Sequence, residues 1–488
     1  NNRLAHLKEV ILGHKKPYFL ARETGSAGLL NAGQNKALEL IEQANDLAIV
    51  HGPPGTGKTT TLIQAIVSAT QIYDQVLVCA PSNAAVDLLV ERMGDENLDV
   101  LRIGHPARID EKIIQRTLDA KILAHHSYKA NKKLRKEAEE YRRKANKFKR
   151  NFGHAEREKR KMHYNEAGKC QAEARQLYDY MTHSILDSCQ VIACTLVGAA
   201  SNLLKGKTFQ VVFLDEAAQG VEPATWIPIM KAQKVVFAGD HCQLPPTIKS
   251  REAAKGLQNT LFEKAITNQP EAAQILSVQY RMAEAIMGFS NIAFYNNKLI
   301  AAANTQKHYL AEGEATLAFI DTAGSGFLEF KDRETLSISN KEEAFMLLTL
   351  LKDLLKRIGK NNSENQAWQV GLIAPYSAQV RLLKEMVAMD SEWIFLKQLD
   401  QNLTISTVDG FQGQERDIIL ISLTRSNEQG EIGFLADTRR MNVALTRAKR
   451  KLIVLGDSAT IGNNGFYQSF LDFVHAKGAY HSVYEFME

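Results

Sequence analysis

Cysteine is scarce and shows no pairing pattern. The 488-residue chain holds five, Cys79, Cys170, Cys189, Cys194 and Cys242, an odd number without a C-x-x-C pair. This argues against a disulfide framework or a zinc site, and favours reduced intracellular thiols. No apolar run approaches the length of a membrane span, and no signal-peptide pattern opens the sequence, so no membrane role is expected. No solenoid-type repeat is present. Charge of one sign is barely in excess, with 60 Lys and Arg against 55 Asp and Glu, a net charge of +5.

What is present is an ordinary globular composition, 45% hydrophobic and 24% charged. The length exceeds what one core usually supports, so two or three domains are expected. Short β-branched runs alternate with helical segments. DLAIVHG, QVLVCAP, QVIACT, FQVVFLDEA and KVVFAGD read as buried parallel strands, with helices starting at Lys58 and near Asn83. ATLAFID, QVGLIAPY, LTISTVDG, RDIILISLT and KLIVLGD form a second such series. The pattern predicts two α/β doubly wound sheets, with functional loops at the carboxyl ends of strands. The changeover falls between Pro246 and Ser277. GKNNSENQ (359–366) reads as a surface loop, and Asn1 to Leu20 as a helical lead-in.

One stretch breaks the first series. Residues 110–187 are rich in Lys, Arg, Glu and Ala and poor in Pro and Gly, which suits long exposed helices inserted into the first domain. Between Lys129 and Lys161 basic residues far outnumber acidic ones. That run is either a solvated helical face or an electrostatic footprint for nucleic acid.

The segment HGPPGTGKTTTL contains Gly52-x4-Gly57-Lys58-Thr59, following a predicted strand and opening a helix. Glycines there let backbone N–H groups approach phosphate oxygens at a helix N-terminus. Gly52, Pro53, Gly55, Thr56, Gly57, Lys58, Thr59 and Thr60 form this loop; Lys58 reaches the terminal phosphates and the Thr59 hydroxyl ligates Mg2+. Asp215 and Glu216 end a predicted strand, where Asp215 holds Mg2+ and Glu216 serves as general base for water. Gln243, in GDHCQLPP after the next strand, senses the γ-phosphate or orients the water. Arg281 and Arg447 of the second series are either surface ion-pair partners or donors that stabilise phosphoryl transfer across an interface.

Taken in order, LNAGQNKAL, GPPGTGKTT, APSNAAVD, LRIGHPARI, ACTLVGA, DEAAQ, GDHCQLPP, QYRM, APYSAQV, TVDGFQGQE and RRMNVALTRAK resemble the superfamily 1B helicases of the nonsense-mediated-decay helicase, immunoglobulin μ-binding helicase and senataxin type. The resemblance runs from Leu30 to Asp457. It implies two tandem RecA-like domains, 21–260 (carrying the 110–187 insertion) and 261–488, after the lead-in 1–20. It implies an ATP- and Mg2+-dependent motor, monomeric and intracellular, moving 5′ to 3′ on single-stranded RNA or DNA. Gln34 then falls in the adenine-reading segment, Tyr280 matches the aromatic that stacks on adenine, Arg281 a γ-phosphate contact, Glu415 a ribose neighbour and Arg447 the second arginine finger. Each has the rival reading of a satisfied polar residue. Ser82, Asn83, Thr195, Pro375, Tyr376 and Thr407, on loops after strands, match strand contacts, with loop capping the alternative for Ser82, Asn83 and Thr195. The resemblance also favours nucleic-acid gripping for the basic stretch. It leaves one family element unmatched, a small β-barrel ahead of the adenine-reading segment, expected to be either removed or absent.

Overall fold

A computed structural model of the chain describes residues 2–21, 28–105, 108–147, 153–306, 308–359, 367–390, 402–411 and 413–487. The expected loop residues 360–366, and 148–152 of the basic stretch, lie outside the described residues.

The first domain is built on β1 (Leu47–His51), β2 (Val76–Ala80), β3 (Val100–Arg102), β4 (Val191–Thr195), β5 (Phe209–Leu214), β6 (Ala232–Gly239) and β7 (Ala273–Ile275). These seven lie in the order β3-β4-β2-β5-β6-β1-β7, every pairing parallel. Parallel strands covered on both faces must be apolar on both. In β1, Leu47 and Ile49 enter one hydrophobic cluster while Ala48 and Val50 enter the other. Helices α1 (Asn2–Ile11), α2 (Ala32–Gln43), α3 (Lys58–Ile72) and α4 (Asn83–Asp95) cover these faces. Leu7, Val10 and Ile11 of α1 are fully buried in the first cluster, so the lead-in helix is part of this domain's core.

The strand β7 corrects the expected division at 260/261. It pairs with β1 through Ile49↔Ala273 and His51↔Ile275, so the first sheet runs past that point. Residues 273–275 are short and mixed in polarity, and only the free edge of β1 makes a strand of them.

The chain then crosses to the second domain. A small parallel pair, β8 (Val278–Gln279) and β9 (Ile300–Ala301), flanks the helix Glu284–Tyr295. The second sheet contains β10 (Leu317–Asp321), β13 (Val370–Ala374), β14 (Leu403–Thr407), β15 (Arg416–Ser422), β16 (Ala448–Gly456) and β17 (Tyr480–Ser482), with an antiparallel pair, β11 (Phe330–Lys331) and β12 (Ile338–Ser339), outside it. Its order is β14-β13-β15-β16-β10-β17, again parallel throughout.

Between β3 and β4 the chain leaves the sheet through α5 (Leu118–Ala124), α6 (Tyr128–Asn146) and α7 (His154–Ser188). At 35 residues, α7 spans about 52 Å. The buried residues of the α6–α7 pair are Asn131, Ala138 and Ala145 on one helix and Ala167, Ala174 and Met181 on the other. That seven-residue spacing places a small-residue seam along an antiparallel pair, leaving the basic side chains outside it. Met181, Ile185 and Leu186 anchor its base in the first domain's core. Among the described residues no helix is long and apolar enough to cross a membrane.

Candidate active site

The strand order brings three distant sequence motifs together. β5, β6 and β1 are consecutive neighbours, so Asp215-Glu216, Asp240 to Gln243 and the phosphate loop leave the sheet side by side. Gly52 N donates to Gly239 O at 3.0 Å, tying two of these loops at their start.

In the loop, Gly55 and Gly57 have φ of 75° and 76°, a left-handed backbone open to glycine at no steric cost. Space is equally restrictive. A Cβ on Gly52 would lie 2.5 Å from Lys58 Cβ, and one on Gly55 would lie 2.5 Å from Arg281 Cβ. The latter contact shows how closely the second domain approaches the loop. Thr56 is buried and its hydroxyl donates to Pro53 O; Thr59 is half-buried and Thr60 exposed at the start of α3.

Lys58 Nζ lies 2.6 Å from both Asp215 Oδ1 and Glu216 Oε1. Burial alone would lower its pKa, but the two carboxylates outweigh this and hold it above the ordinary lysine range. Glu216 has φ of 50°, unusual for a residue with a side chain, and its second oxygen accepts from Gln219 Nε2 at 2.7 Å.

The opposite wall comes from the second domain. Arg281 Nε donates to Glu415 Oε2 at 2.5 Å and its Nη1 to Thr446 O at 3.1 Å. Burial would raise the pKa of Glu415, but the charges of Arg281 and Lys449 lower it. Arg447 is 3% exposed and donates to Val443 O, Gln414 O and, at 3.1 Å, to Gln243 Oε1 across the cleft. Burial, with Arg281 nearby, lowers its pKa to about 9. Tyr280 is 42% exposed; its N–H donates to Gly55 O, and its hydroxyl accepts from Asn31 Nδ2, both at 2.8 Å. Gln34 closes a capping box with Asn31 at the start of α2, while its Nε2 donates to Thr56 O at 3.0 Å. Hydrogen bonds and close contacts thus join the phosphate loop and Gln243 of the first domain to Tyr280, Arg281 and Arg447 of the second.

The expected strand contacts form two separate groups. Ser82 and Asn83 follow β2, and Thr195 ends its neighbour β4; Pro375-Tyr376 follow β13, and Thr407 ends its neighbour β14. Asn83 and Thr195, with Arg102, His105 and Arg108, line a recess of about 500 Å3. Pro375 and Thr407, with Asp409 and Arg440, line one of about 120 Å3 in the second domain. Local capping occupies several of these groups. Ser82 Oγ accepts from Ala85 N, Thr195 Oγ1 from Gly198 N, and Asn83 Oδ1 from Arg102. Tyr376 is buried, with its hydroxyl accepting from Arg425 and from Phe434 N.

Sequence reasoning missed a buried network joining the domains. Asp240 Oδ1 lies 3.0 Å from His51 Nε2, and its Oδ2 accepts from Tyr295 OH and Gln243 Nε2, each at 2.8 Å. Asn442 Nδ2 donates to Tyr295 OH at 3.0 Å and to Cys242 O at 2.8 Å. Asn442 stands inside the RRMNVALTRAK motif, but its partners are far away in sequence and no local spacing marks them.

Comparison with known proteins gives the chain its relatives. Two family models, each described as an AAA domain, match residues 29–251 and 257–459. The chain is 36% identical to DNA-binding protein SMUBP-2 of Rattus norvegicus over 94% of its own length and 46% of that protein's. It is 33% identical to DNA polymerase alpha-associated DNA helicase A of Schizosaccharomyces pombe, over 91% of this chain and 66% of that one. An uncharacterized ATP-dependent helicase of Methanocaldococcus jannaschii is 34% identical, over 95% of this chain and 74% of that one. The chain therefore spans about half the length of the rat relative, and more of the other two.

Proposed function

We propose, for a chain that belongs to the superfamily 1B helicases of the nonsense-mediated-decay helicase type, that the cleft between its two domains hydrolyses ATP to drive movement along single-stranded RNA or DNA. The observation that carries this reading is the meeting of Lys58, Asp215 and Glu216 from one domain with Arg281 and Arg447 from the other, linked through Gln243. A site that needs both domains can convert its own chemistry into relative motion.

The residues present fit a magnesium nucleotide. The positions of Gly52 and Gly55 have no room for a Cβ, and the Asp215 and Glu216 carboxylates share one cation, Lys58 Nζ, which leaves one negative charge for a metal ion. Thr59 and Asp215 would hold Mg2+, and the bound nucleotide supplies the phosphoryl group and its anhydride energy. Lys58, freed from the carboxylates, binds phosphate oxygens as a point charge. Glu216 receives the proton of the attacking water, and Gln243 orients that water. Arg281 and Arg447 bind the charge that develops at the γ-phosphate. Tyr280 offers a base-stacking face, Gln34 an amide edge, and Glu415 a carboxylate near the ribose.

For the strand, the two recesses supply Asn83, Thr195, Pro375 and Thr407, with Ser82 acting through the α4 cap and Tyr376 through the loop it supports. The basic faces of α6 and α7 add a phosphate-gripping arm. The family supports 5′-to-3′ movement, a monomeric motor and an intracellular setting. The helicase unit divides into the lead-in, the two sheet domains and the helical insertion.

The test is ATP turnover with and without single-stranded RNA and DNA, followed by strand displacement on duplexes tailed at either end. Stimulated hydrolysis with displacement from a 5′ tail is expected. Stimulation without displacement would mark a clamp that remodels protein–nucleic acid assemblies, and turnover indifferent to nucleic acid would overturn the motor reading.

A further inference from the structure

Beside the phosphate loop, β1 closes on His51 and β6 leads into Asp240-His241-Cys242. His51 pairs across from Gly239, so the turn that follows Gly239 folds over the His51 ring. One donor atom from each of the four residues lies within 4.8 Å of all the others. The His51 and His241 ring centroids are 4.8 Å apart. His51, Asp240 and Cys242 are buried, and His241 is half-buried at the rim.

Ordinary polar packing accounts for part of this cluster. His51 bonds Asp240, and the Cys242 thiol donates to Phe294 O at 3.4 Å. It leaves His241 Nδ1 buried with no hydrogen-bond partner, a polar atom whose desolvation nothing offsets. We infer that His51, Asp240, His241 and Cys242 form a binding site for a borderline-soft divalent transition cation, with Zn2+ as the reference ion.

The donor set carries the choice of ion. Two imidazole nitrogens, one sulfur and one carboxylate oxygen suit zinc, whereas Mg2+ takes oxygen ligands and keeps its waters. Zinc bonds of about 2.0–2.3 Å in a tetrahedron put ligand atoms about 3.3–3.8 Å apart. The donors therefore converge by about 1 Å, a side-chain adjustment rather than a rearrangement of strands. On coordination the Cys242 sulfur exchanges its proton for the metal and the proton leaves to solvent. The outer carboxylate oxygen of Asp240 stays fixed by Tyr295 OH and Gln243 Nε2, the kind of support that orients metal ligands. The sequence, with no C-x-x-C, pointed away from zinc because the donors come from three residue types and from the ends of two strands that neighbour in the sheet but lie far apart in sequence.

Occupancy would also be felt in the cleft, since Asp240 holds Gln243 and Gln243 faces Arg447. That consequence, slower turnover in micromolar Zn2+, rests on the ATPase reading. Binding itself does not.

The experiment is titration of the metal-stripped, reduced chain with Co2+, followed by absorption. One Co2+ per chain with a sulfur-to-cobalt charge-transfer band is expected, displaced by one equivalent of Zn2+ and unaffected by excess Mg2+. Cys242→Ser should abolish the band, His241→Ala should weaken affinity by about tenfold or more, and Cys170→Ser, outside the cluster, should change nothing. A wild-type chain that binds no stoichiometric Co2+ overturns the proposal, as does a band that survives Cys242→Ser. Should that variant fail to fold, His241→Ala at the half-buried rim decides, and unchanged affinity there overturns the site. Because the readout is ion stoichiometry and colour, a chain without ATPase activity can pass, and an active ATPase can fail.

Discussion

Two cations, one half-buried in the first domain and one buried in the second, are kept in opposite ways. Lys58, in the first domain, sits between two carboxylates and is held above its ordinary pKa range. Arg447, in the second, hydrogen-bonds only carbonyl and amide oxygens, and burial lowers its pKa to about 9 against the more distant pull of Glu216 and Glu415. Among the described residues no carboxylate forms an ion pair with Arg447. A paired buried charge is at rest, while an unpaired one is costly until an anion arrives. On the proposed reading, Lys58 must exchange partners when nucleotide binds, whereas Arg447 waits with its desolvation already met by the fold. The first domain keeps its cation paired, with one carboxylate charge to spare, and the second presents a cation without an ion-pair partner.

Removing the proposed base from the paired side should have the largest effect. Glu216→Gln is expected to cut ATP turnover about 10³-fold while nucleotide still binds, because Lys58 retains Asp215. Turnover within a few-fold of wild type would remove Glu216 from the chemistry. Arg447→Ala probes the unpaired side; about 10²-fold loss in kcat is expected with ADP affinity unchanged, since ADP lacks the γ-phosphate. A matching fall in ADP affinity, measured by equilibrium binding, would show that Arg447 supports the pocket rather than the transferred phosphoryl group.

A buried anion completes the comparison. Glu343, in the helix Lys341–Ile358, is 0% exposed and forms no ion pair among the described residues; burial, against bonds from Thr424 N and Ser422, raises its pKa from 4.5 to about 7. A raised folded pKa means that its stabilisation is complete below pH 4.5 and is lost as pH rises through 7. Glu343→Gln keeps an acceptor for Ser422 and Thr424 without that titration. Relative to wild type, the variant should gain about 3 kcal/mol between pH 4.5 and pH 8, read from urea denaturation. An equal gap at both pH values would refute the titration. The smallest effect belongs to the exposed charges of α6. Replacing Lys132, Lys133, Arg142 and Arg143 with Gln should weaken single-strand binding by about tenfold and flatten its salt dependence. An unchanged slope would place the strand elsewhere.

The sequence made one side of this cleft plain and the other only by resemblance. The strand runs, the helix starts at Lys58 and Asn83, and the loop of glycines follow from local chemistry that three to ten residues express. Asp215-Glu216 become meaningful because β5 and β1 are separated by one strand, an order that no residue spells out. Ser82 and Thr195 show the limit of motif reading, because their oxygens close local caps that compete with a ligand. The Asp240–Tyr295–Asn442 network was invisible. Its bonded pairs are 55 and 147 residues apart, and a buried Asn or Tyr has no signature until its partners are known. The end of the first domain was misplaced for a similar reason, since β7 is a strand only by virtue of the edge it meets.

The amide of Tyr280 is fastened to the carbonyl of Gly55, and that fastening lies on the covalent path from β7 to the helix Glu284–Tyr295. The segment that joins the domains is therefore also a wall of the pocket, carrying Tyr280 and Arg281. On the proposed reading, a ligand gripped by those two side chains would restrain this joining segment, and so any hinge motion through it, directly, as a splint does, with no message to be relayed. Ligand residence time and hinge stiffness then become one mechanical quantity. A change that softens residues 276–283 should shorten residence even when every side chain touching the ligand is left intact.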